Sequence, residues 1–271
     1  MFDLIAEIGV AHGGSLDVAK RLADAALNAG FAAVKGQLFR PETLTHDARD
    51  RAILAPLALS VDDHAKLFEH CAGLGIEYLA TPFDLQAVDE LEAIGVKRYK
   101  VASTDITWRP LLERIGATHK PVLLSTGAAD VGEIYRAVDV LRESPVTLLH
   151  CVSSYPAEPT RACFQRITWL MVTFGSPVGY SDHVGGVVPV MAAAMLGATT
   201  IEVHVCPDGY AGPDHEVSYP VSELVDVAGA VRIGLASRFT PGRNLFDSDP
   251  CESLARQYLR RGTDGLRPER P

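Results

Sequence analysis

The 271-residue chain is 47% hydrophobic and 22% charged, with 23 glycines, 17 prolines and a formal net charge of −9. That apolar content excludes intrinsic disorder, and the acidic balance lacks the basic surface that a nucleic-acid partner requires. The five cysteines (Cys71, Cys151, Cys163, Cys206, Cys251) are odd in number and form no Cys-x-x-Cys pair, so a reduced, cytoplasmic protein is expected.

In chain order, the amino terminus (MFDLIAEIG) has no basic segment and meets an acid at Asp3, so no signal peptide is expected. A β-rich run at 4–9 is followed by an amphipathic stretch over 15–29, and the same alternation continues to the last helix. The remaining strand candidates are 32–37, 77–81, 98–103, 121–126, 146–152, 176–181 and 199–205. The remaining helix candidates are 61–74, 86–94, 110–117, 131–142, 163–174, 187–196 and 221–238, with Ser60 and Asp130 as caps. The longest uncharged stretch, Val184 to Ile201, is broken by Gly185, Gly186, Pro189 and Gly197. It reads as a buried helix running into a strand, and no membrane span is expected. A tail over 239–271 carries Arg256, Arg260, Arg261, Arg267 and Arg270 and reads as a linker-like, solvated or partner-contacting extension with no second domain.

Continuous apolar strands alternating with helices predict a parallel sheet covered by helices. Eight such units within 1–238 fit an α/β fold of the (β/α)8 TIM-barrel type, whose usual length is about 250 residues. A doubly wound open sheet is the alternative, but no G-x-G-x-x-G or P-loop pattern opens any helix.

Active sites of such barrels lie at the C-terminal strand ends. There the sequence places Glu7 and His12 after strand 1, Lys35 and Gln37 on strand 2, and Thr81 on strand 3. Lys100, Ser103 and Asp105 follow strand 4, and Ser125 and Thr126 close strand 5. His150, Ser153, Ser154 and Tyr155 follow strand 6; Ser181, Asp182 and His183 close strand 7; Glu202 and His204 sit on strand 8. Ionisable groups at this density are costly to bury unless they pair or bind a ligand.

Residue type sorts their chemistry. Lys35 and Lys100 stand in apolar runs of a chain with 25 basic residues, most of them arginine. With the hydroxyls of Thr81, Ser103, Ser125 and Ser181 they suit a phosphorylated carboxylate, although a snorkelling lysine is the bland alternative. His183 and His204 close neighbouring strands and could share a Lewis-acidic metal, although a lone barrel histidine is more often hydrogen-bonded core. His46, His64, His70 and His119 read as surface, and His150 as packed inside its strand. Cys151 and Cys206 read as inert core thiols. No G-x-S-x-G elbow or H-E-x-x-H helix is present.

The segments AEIGVAHGGSLDVAKRLADAALNAGFAAVKGQLF, STGA, LLHCVSSYPAEP, VGYSDHVGG, LGATTIEVHV and AGPDHEVS occur in this order across residues 3–238. Together they resemble the sialic acid synthase family, with its legionaminic, pseudaminic and spore-coat polysaccharide relatives. The resemblance implies a transferase of carbohydrate biosynthesis. Such an enzyme condenses phosphoenolpyruvate with an aldose or other aldehyde to give a 2-keto-3-deoxy acid and phosphate, and requires a divalent metal, Mn2+ or else Mg2+ or Co2+. Carried over by position, His183 and His204 would hold the metal. Lys35, Thr81, Lys100, Ser103, Ser125, Ser153 and Ser181 would hold phosphoenolpyruvate, with Glu7, Gln37, Tyr155 and Asp214 toward the sugar or reaction centre. Glu7 is the candidate for moving protons.

Four departures from the family pattern stand out. Ala11-His12-Gly13-Gly14 replaces the usual N-H-N-G, Gly36 replaces a Phe or His and is expected to open space in the site, Asp105 replaces a glutamate, and Val203 replaces a Lys or Arg. The family's C-terminal antifreeze-like cap is also expected to be absent. These differences suggest an acceptor other than the usual N-acylmannosamine, and they leave a homodimer open, since the family's dimer depends partly on the cap. The alternatives are a metal-dependent aldolase or lyase and a non-catalytic barrel that binds a phosphorylated metabolite.

Overall fold

Each expected strand carries apolar residues on both faces, which only a sheet buried on both sides can satisfy. In the computed structural model, which describes residues 2–238 and 253–260, that sheet is a closed barrel. Its strands are β1 (Asp3–Glu7), β2 (Ala33–Leu38), β3 (Glu77–Pro82), β4 (Tyr99–Val101), β5 (Val122–Ser125), β6 (Val146–His150), β7 (Val178–Asp182) and β8 (Thr200–Cys206). They pair in parallel in chain order, and β8 returns to β1 from Asp3↔Thr200 to Glu7↔His204. The fold is the expected (β/α)8 barrel.

Helices α1 (Leu16–Ala29), α4 (Val61–Leu74), α5 (Leu85–Ile94), α6 (Arg109–Gly116), α7 (Val131–Val140), α8 (Gln165–Phe174), α9 (Val187–Met195) and α10 (Leu224–Ala236) follow the eight strands. Two shorter ones, α2 (Pro41–Leu44) and α3 (Ala48–Leu54), lie in the connection after β2. The caps act where the sequence suggests. Ser60 accepts from the Asp63 amide and Asp130 from that of Glu133, each within a reciprocal capping box. Sequence periodicity misses α3 because that helix buries no residue, so it has no apolar stripe to read. A ninth strand, β9 (Ser218–Pro220), is also unexpected. It pairs with β8 from His204↔Ser218, just above the point where β7 stops at Asp182↔Val203. The expectation of a buried helix within Val184–Ile201 is corrected: α9 buries Pro189, Val190, Ala193 and Ala194 but leaves Val188 65% exposed.

Outward-facing strand residues join the helices in the main core. Inside the barrel a small apolar layer of Ile5, Ala33, Leu79, Leu123 and Leu149 fills the section below the polar strand ends. Gly179 is the residue that lets this layer close. A Cβ there would stand 2.5 Å from the Thr200 carbonyl oxygen and 2.6 Å from Leu149 Cδ2. At the N-terminal end, Arg98 bridges Asp3 at 2.6 Å and Glu77 at 3.0 Å, tying the starts of β1 and β3.

The chain divides into two units, Met1–Arg238 and Phe239–Pro271. Of the second, the described residues form helix α11 (Ser253–Leu259). Cys251, Arg261, Arg267, Arg270 and the side chain of Arg256 lie outside the described residues. Among the described residues no helix is long and apolar enough to cross a membrane, and Cys71, Cys151, Cys163 and Cys206 are free thiols.

Candidate active site

Strand alternation decides which side chains enter the barrel. Glu7, Lys35, Gln37, Thr81, Lys100, Ser125, Ser181, Glu202 and His204 take the inward register. With Ser103, Ser153, Tyr155, His183 and Asp214 from the loops, they line a cleft of about 180 Å³ at the C-terminal end. Phe83, Ala102 and Thr104 complete its wall. All the residues carried over by position from the family resemblance therefore converge, whereas His12, Asp105, Thr126, His150, Ser154 and Asp182 do not line the cleft. Asp105 sits in the turn after β4. Burial, only partly opposed by Lys100, pushes its carboxyl up to about 6.

The floor is an alternating quartet of buried charges. Lys35 Nζ lies 2.5 Å from Glu7 Oε2, a close ionic contact rather than a well-directed hydrogen bond, and donates to Thr81 Oγ1 at 3.2 Å. It is also 3.7 Å from Glu202 Oε2, and Lys100 Nζ is 3.3 Å from Glu202 Oε1. Ser181 donates to Glu202 at 2.8 Å, and Gln37 donates to Glu7 at 2.6 Å. Burial alone would raise Glu202, but Lys100 and Lys35 overcome it and hold the carboxyl down at about 2. Glu7 is the reverse case: burial outweighs the pull of Lys35 and raises it above the usual carboxylate range. Burial also lowers Lys100, with Glu202 offsetting this in part and Lys35 adding to it. Glu202 thus bridges both lysines. The sequence places it at the strand end but assigns it no role, because its inward pairing depends on two other strands.

Beside the quartet is a cradle of hydroxyls. The Gly127 amide donates to Ser103 Oγ at 3.1 Å, and Ser103 Oγ lies 3.1 Å from Cys151 Sγ. A Cβ on Gly127 would collide with Ser153 Oγ and crowd Cys151 and Ser103. Ser125 Oγ is buried without a hydrogen-bond partner. Ala128, which follows Gly127, has φ 55°, a left-handed conformation that alanine rarely adopts. Gly127 is legible only as the third letter of STGA, and Cys151, read as inert, forms part of the cradle's back wall.

The mouth carries the aromatic and imidazole groups. Tyr155 stacks on His183 with ring centroids 4.2 Å apart, and the His183 and His204 rings are 5.5 Å apart. His183 gives its Nδ1 hydrogen to the Val152 carbonyl at 2.7 Å, which leaves Nε2 with the free lone pair. Burial keeps both imidazoles neutral, and His204, with His183 beside it, is pushed down to about 3. Asp214 Oδ2 lies 3.9 Å from His204 Nδ1. A Cβ on Gly9 would meet Glu7 Oε1 at 3.4 Å, Gln37 Nε2 at 3.5 Å and Asp214 Oδ2 at 3.9 Å, so these three polar atoms converge on one corner.

Two sequence expectations are corrected here. Gly36 does not open the site. Lys35 and Gln37 face inward, so Gly36 faces out toward α4, and its missing side chain leaves room for the Tyr78 hydroxyl and the His64 ring. His64 is accordingly not a surface residue: it is 1% exposed, with Nδ1 2.6 Å from Tyr78 Oη. His150 is packed as expected, its Nε2 2.7 Å from the Ala162 carbonyl. His12 accepts from the Gly14 amide at 3.0 Å and does not line the cleft. Asp182 turns outward, as does Thr126.

A (β/α)8 barrel that gathers lysines, carboxylates and free hydroxyls at its C-terminal strand ends is an enzyme's architecture. The NeuB family matches residues 22–237. The N,N'-diacetyllegionaminic acid synthase of Campylobacter jejuni is 36% identical over 84% of this chain and 75% of its own length. The N-acetylneuraminate-9-phosphate synthase of Drosophila melanogaster is 33% identical over 84% and 66%. The N-acetylneuraminic acid synthetase of Leptospira borgpetersenii, solved with citrate, superposes with a TM-score of 0.86 at 33% identity, covering 93% of this chain and 89% of that one. The chain belongs to the NeuB family. It is an enzyme of the synthase class for which these relatives are named.

Proposed function

We propose that the cleft condenses phosphoenolpyruvate with an aldose to give a 2-keto-3-deoxy acid and inorganic phosphate. The observation that carries the reading is the buried Glu7–Lys35–Glu202–Lys100 quartet beside an unfilled hydroxyl cradle. A phosphate and a carboxylate on one small molecule would bring the negative charge that two buried ammonium groups share only with carboxylates. Ser103, Ser125 and Ser153 are the donors for the phosphate, the Gly127 amide holds Ser103 in place, and Lys35 and Lys100 compensate the charge.

In the proposed reaction C3 of phosphoenolpyruvate attacks the aldehyde carbon, forming the new C–C bond and leaving an oxocarbenium centre at C2. Water adds to C2, and the resulting tetrahedral intermediate expels phosphate by C–O cleavage. Glu7, raised by burial and fixed by Gln37, is placed to move the protons. Tyr155, Gln37 and Asp214 face the acceptor.

A divalent metal is part of this reading. Among the described residues no group of three or more His, Cys, Asp or Glu forms a cage. Two neutral imidazoles on neighbouring strand ends fit an open site, whose other positions go to water or substrate oxygen. These donors suit Mn2+ or Co2+ better than Mg2+. Held by His183 and His204, the ion would supply Lewis acidity toward a carbonyl oxygen.

None of the departures at Ala11 to Gly14, Gly36, Asp105 or Val203 lines the cleft, so they do not support an acceptor other than N-acylmannosamine. The N-acylmannosamines therefore return as candidates. The relatives favour neither the lyase nor the non-catalytic alternative. Incubation with Mn2+, phosphoenolpyruvate and a broad aldose panel that includes N-acylmannosamines should release phosphate only when an acceptor is present. Silence across the panel would count against a synthase, and cleavage of a keto acid without phosphate release would point to a lyase.

A further inference from the structure

Asp182 ends β7 with 0% exposure. A carboxylate in that position is costly unless hydrogen bonds replace its water. The Tyr180 hydroxyl donates to Oδ1 at 2.7 Å and the Val184 amide at 3.0 Å, while the Gly185 amide donates to Oδ2 at 3.2 Å. The Tyr219 hydroxyl lies 2.6 Å from Oδ2 and 2.7 Å from the Gly186 carbonyl. Val184 and Gly185 form the turn directly after His183. Tyr219 belongs to β9, which takes over the pairing with β8 where β7 ends. Its neighbour Ser218 donates to the Asp214 carbonyl at 2.7 Å, and Asp214 has φ 62°, a left-handed conformation that needs such an anchor.

One outward-facing carboxylate thus joins the two segments that bring His183 and Asp214 to the cleft mouth. We propose that Asp182 is a positioning residue: through Tyr219 it locks the turn carrying His183 to the β9 strand that anchors Asp214, and so sets the spacing of the two across the mouth. The proposal needs the cleft geometry but not the choice of substrate. Local electrostatic pairing of His183 is not required, since its ring is held by Val152.

The test uses the full chain with 15N-labelled histidine and two variants, Asp182→Asn and Tyr219→Phe. The second removes one hydroxyl and keeps the ring, so it decides the matter alone if Asp182→Asn does not fold. In both variants the His183 ring nitrogens are expected to shift and the Nδ1 hydrogen to lose its protection, while the His64 ring, packed against Tyr78, stays unchanged. The affinity for Mn2+ alone, by calorimetry, should fall about tenfold, as is usual when the support of a ligand is loosened. Variants that lose thermal stability but keep native His183 signals and native Mn2+ affinity would overturn the proposal, leaving Asp182 a brace of the fold. The ring signals decide the question even if the wild-type protein takes up no Mn2+.

Discussion

Gly127 shows how much one absent methyl group contributes to the cleft. Its amide already donates to Ser103, and the space above its Cα is bounded by Ser153, Cys151 at 2.8 Å and Ser103 at 2.9 Å from where a Cβ would stand. A methyl group there would displace the hydroxyls that converge on the cradle without touching the helices or the barrel's apolar layer. Gly127→Ala is therefore expected to fold and to weaken phosphoenolpyruvate binding about tenfold or more, a loss of roughly 1.4 kcal/mol. Calorimetric titration checks it, and an unchanged affinity would remove the cradle from the substrate site. The charged floor should tolerate little change either, because removing one partner of a buried pair leaves the other uncompensated.

At the level of elements, β7 is under the tightest steric constraint. Gly179 faces inward between the Thr200 carbonyl and Leu149, and β7 must pair closely with β8 for His183 and His204 to meet. Gly179→Ala would push against backbone on one side and a fully buried leucine on the other. It should destabilise the barrel by about 1–3 kcal/mol, the usual cost of overpacking, measured by urea unfolding; a loss within error would mean that β7 can shift freely. The strands and their inward residues are legible in the sequence because barrel strands alternate strictly and the C-terminal ends are chemically distinct. Ser60 and Asp130 are legible because a cap acts on its own helix. The unreadable features depend on distant partners. Gly36 looks like an open site until Tyr78 and His64 arrive from β3 and α4, and Asp105 looks like a strand-end acid until the short β4 turns away. Helix α3 has no buried face, and β9 is only three residues long.

For the whole molecule the consequence is sensitivity to acid. His64 and His12 are 1% and 4% exposed, and burial pushes each imidazole down to about 4. Unfolded, each would titrate near 6.5, so between these values the unfolded chain binds a proton that the folded chain refuses. Their contribution is fully present above pH 6.5 and is lost as the pH falls toward 4. Each histidine accounts for about 3 kcal/mol, and the two together for a large part of the roughly 5–15 kcal/mol that holds a domain folded. Asp105 works in the opposite direction. Raised to about 6, it favours the folded state as the pH drops through that value, and returns up to about 3 kcal/mol by pH 4. Among these three groups the two histidines outweigh Asp105, so their sum lowers stability as the pH falls from 6.5 toward 4. His64→Gln keeps a polar partner for Tyr78 but cannot take up the proton. Its urea midpoint should therefore be less pH-dependent, the slope of stability between pH 6 and 4.5 falling by about 1.4 kcal/mol per pH unit. A variant whose slope matches the wild type would show that His64 is already protonated in the folded protein, or that α4 opens before it titrates.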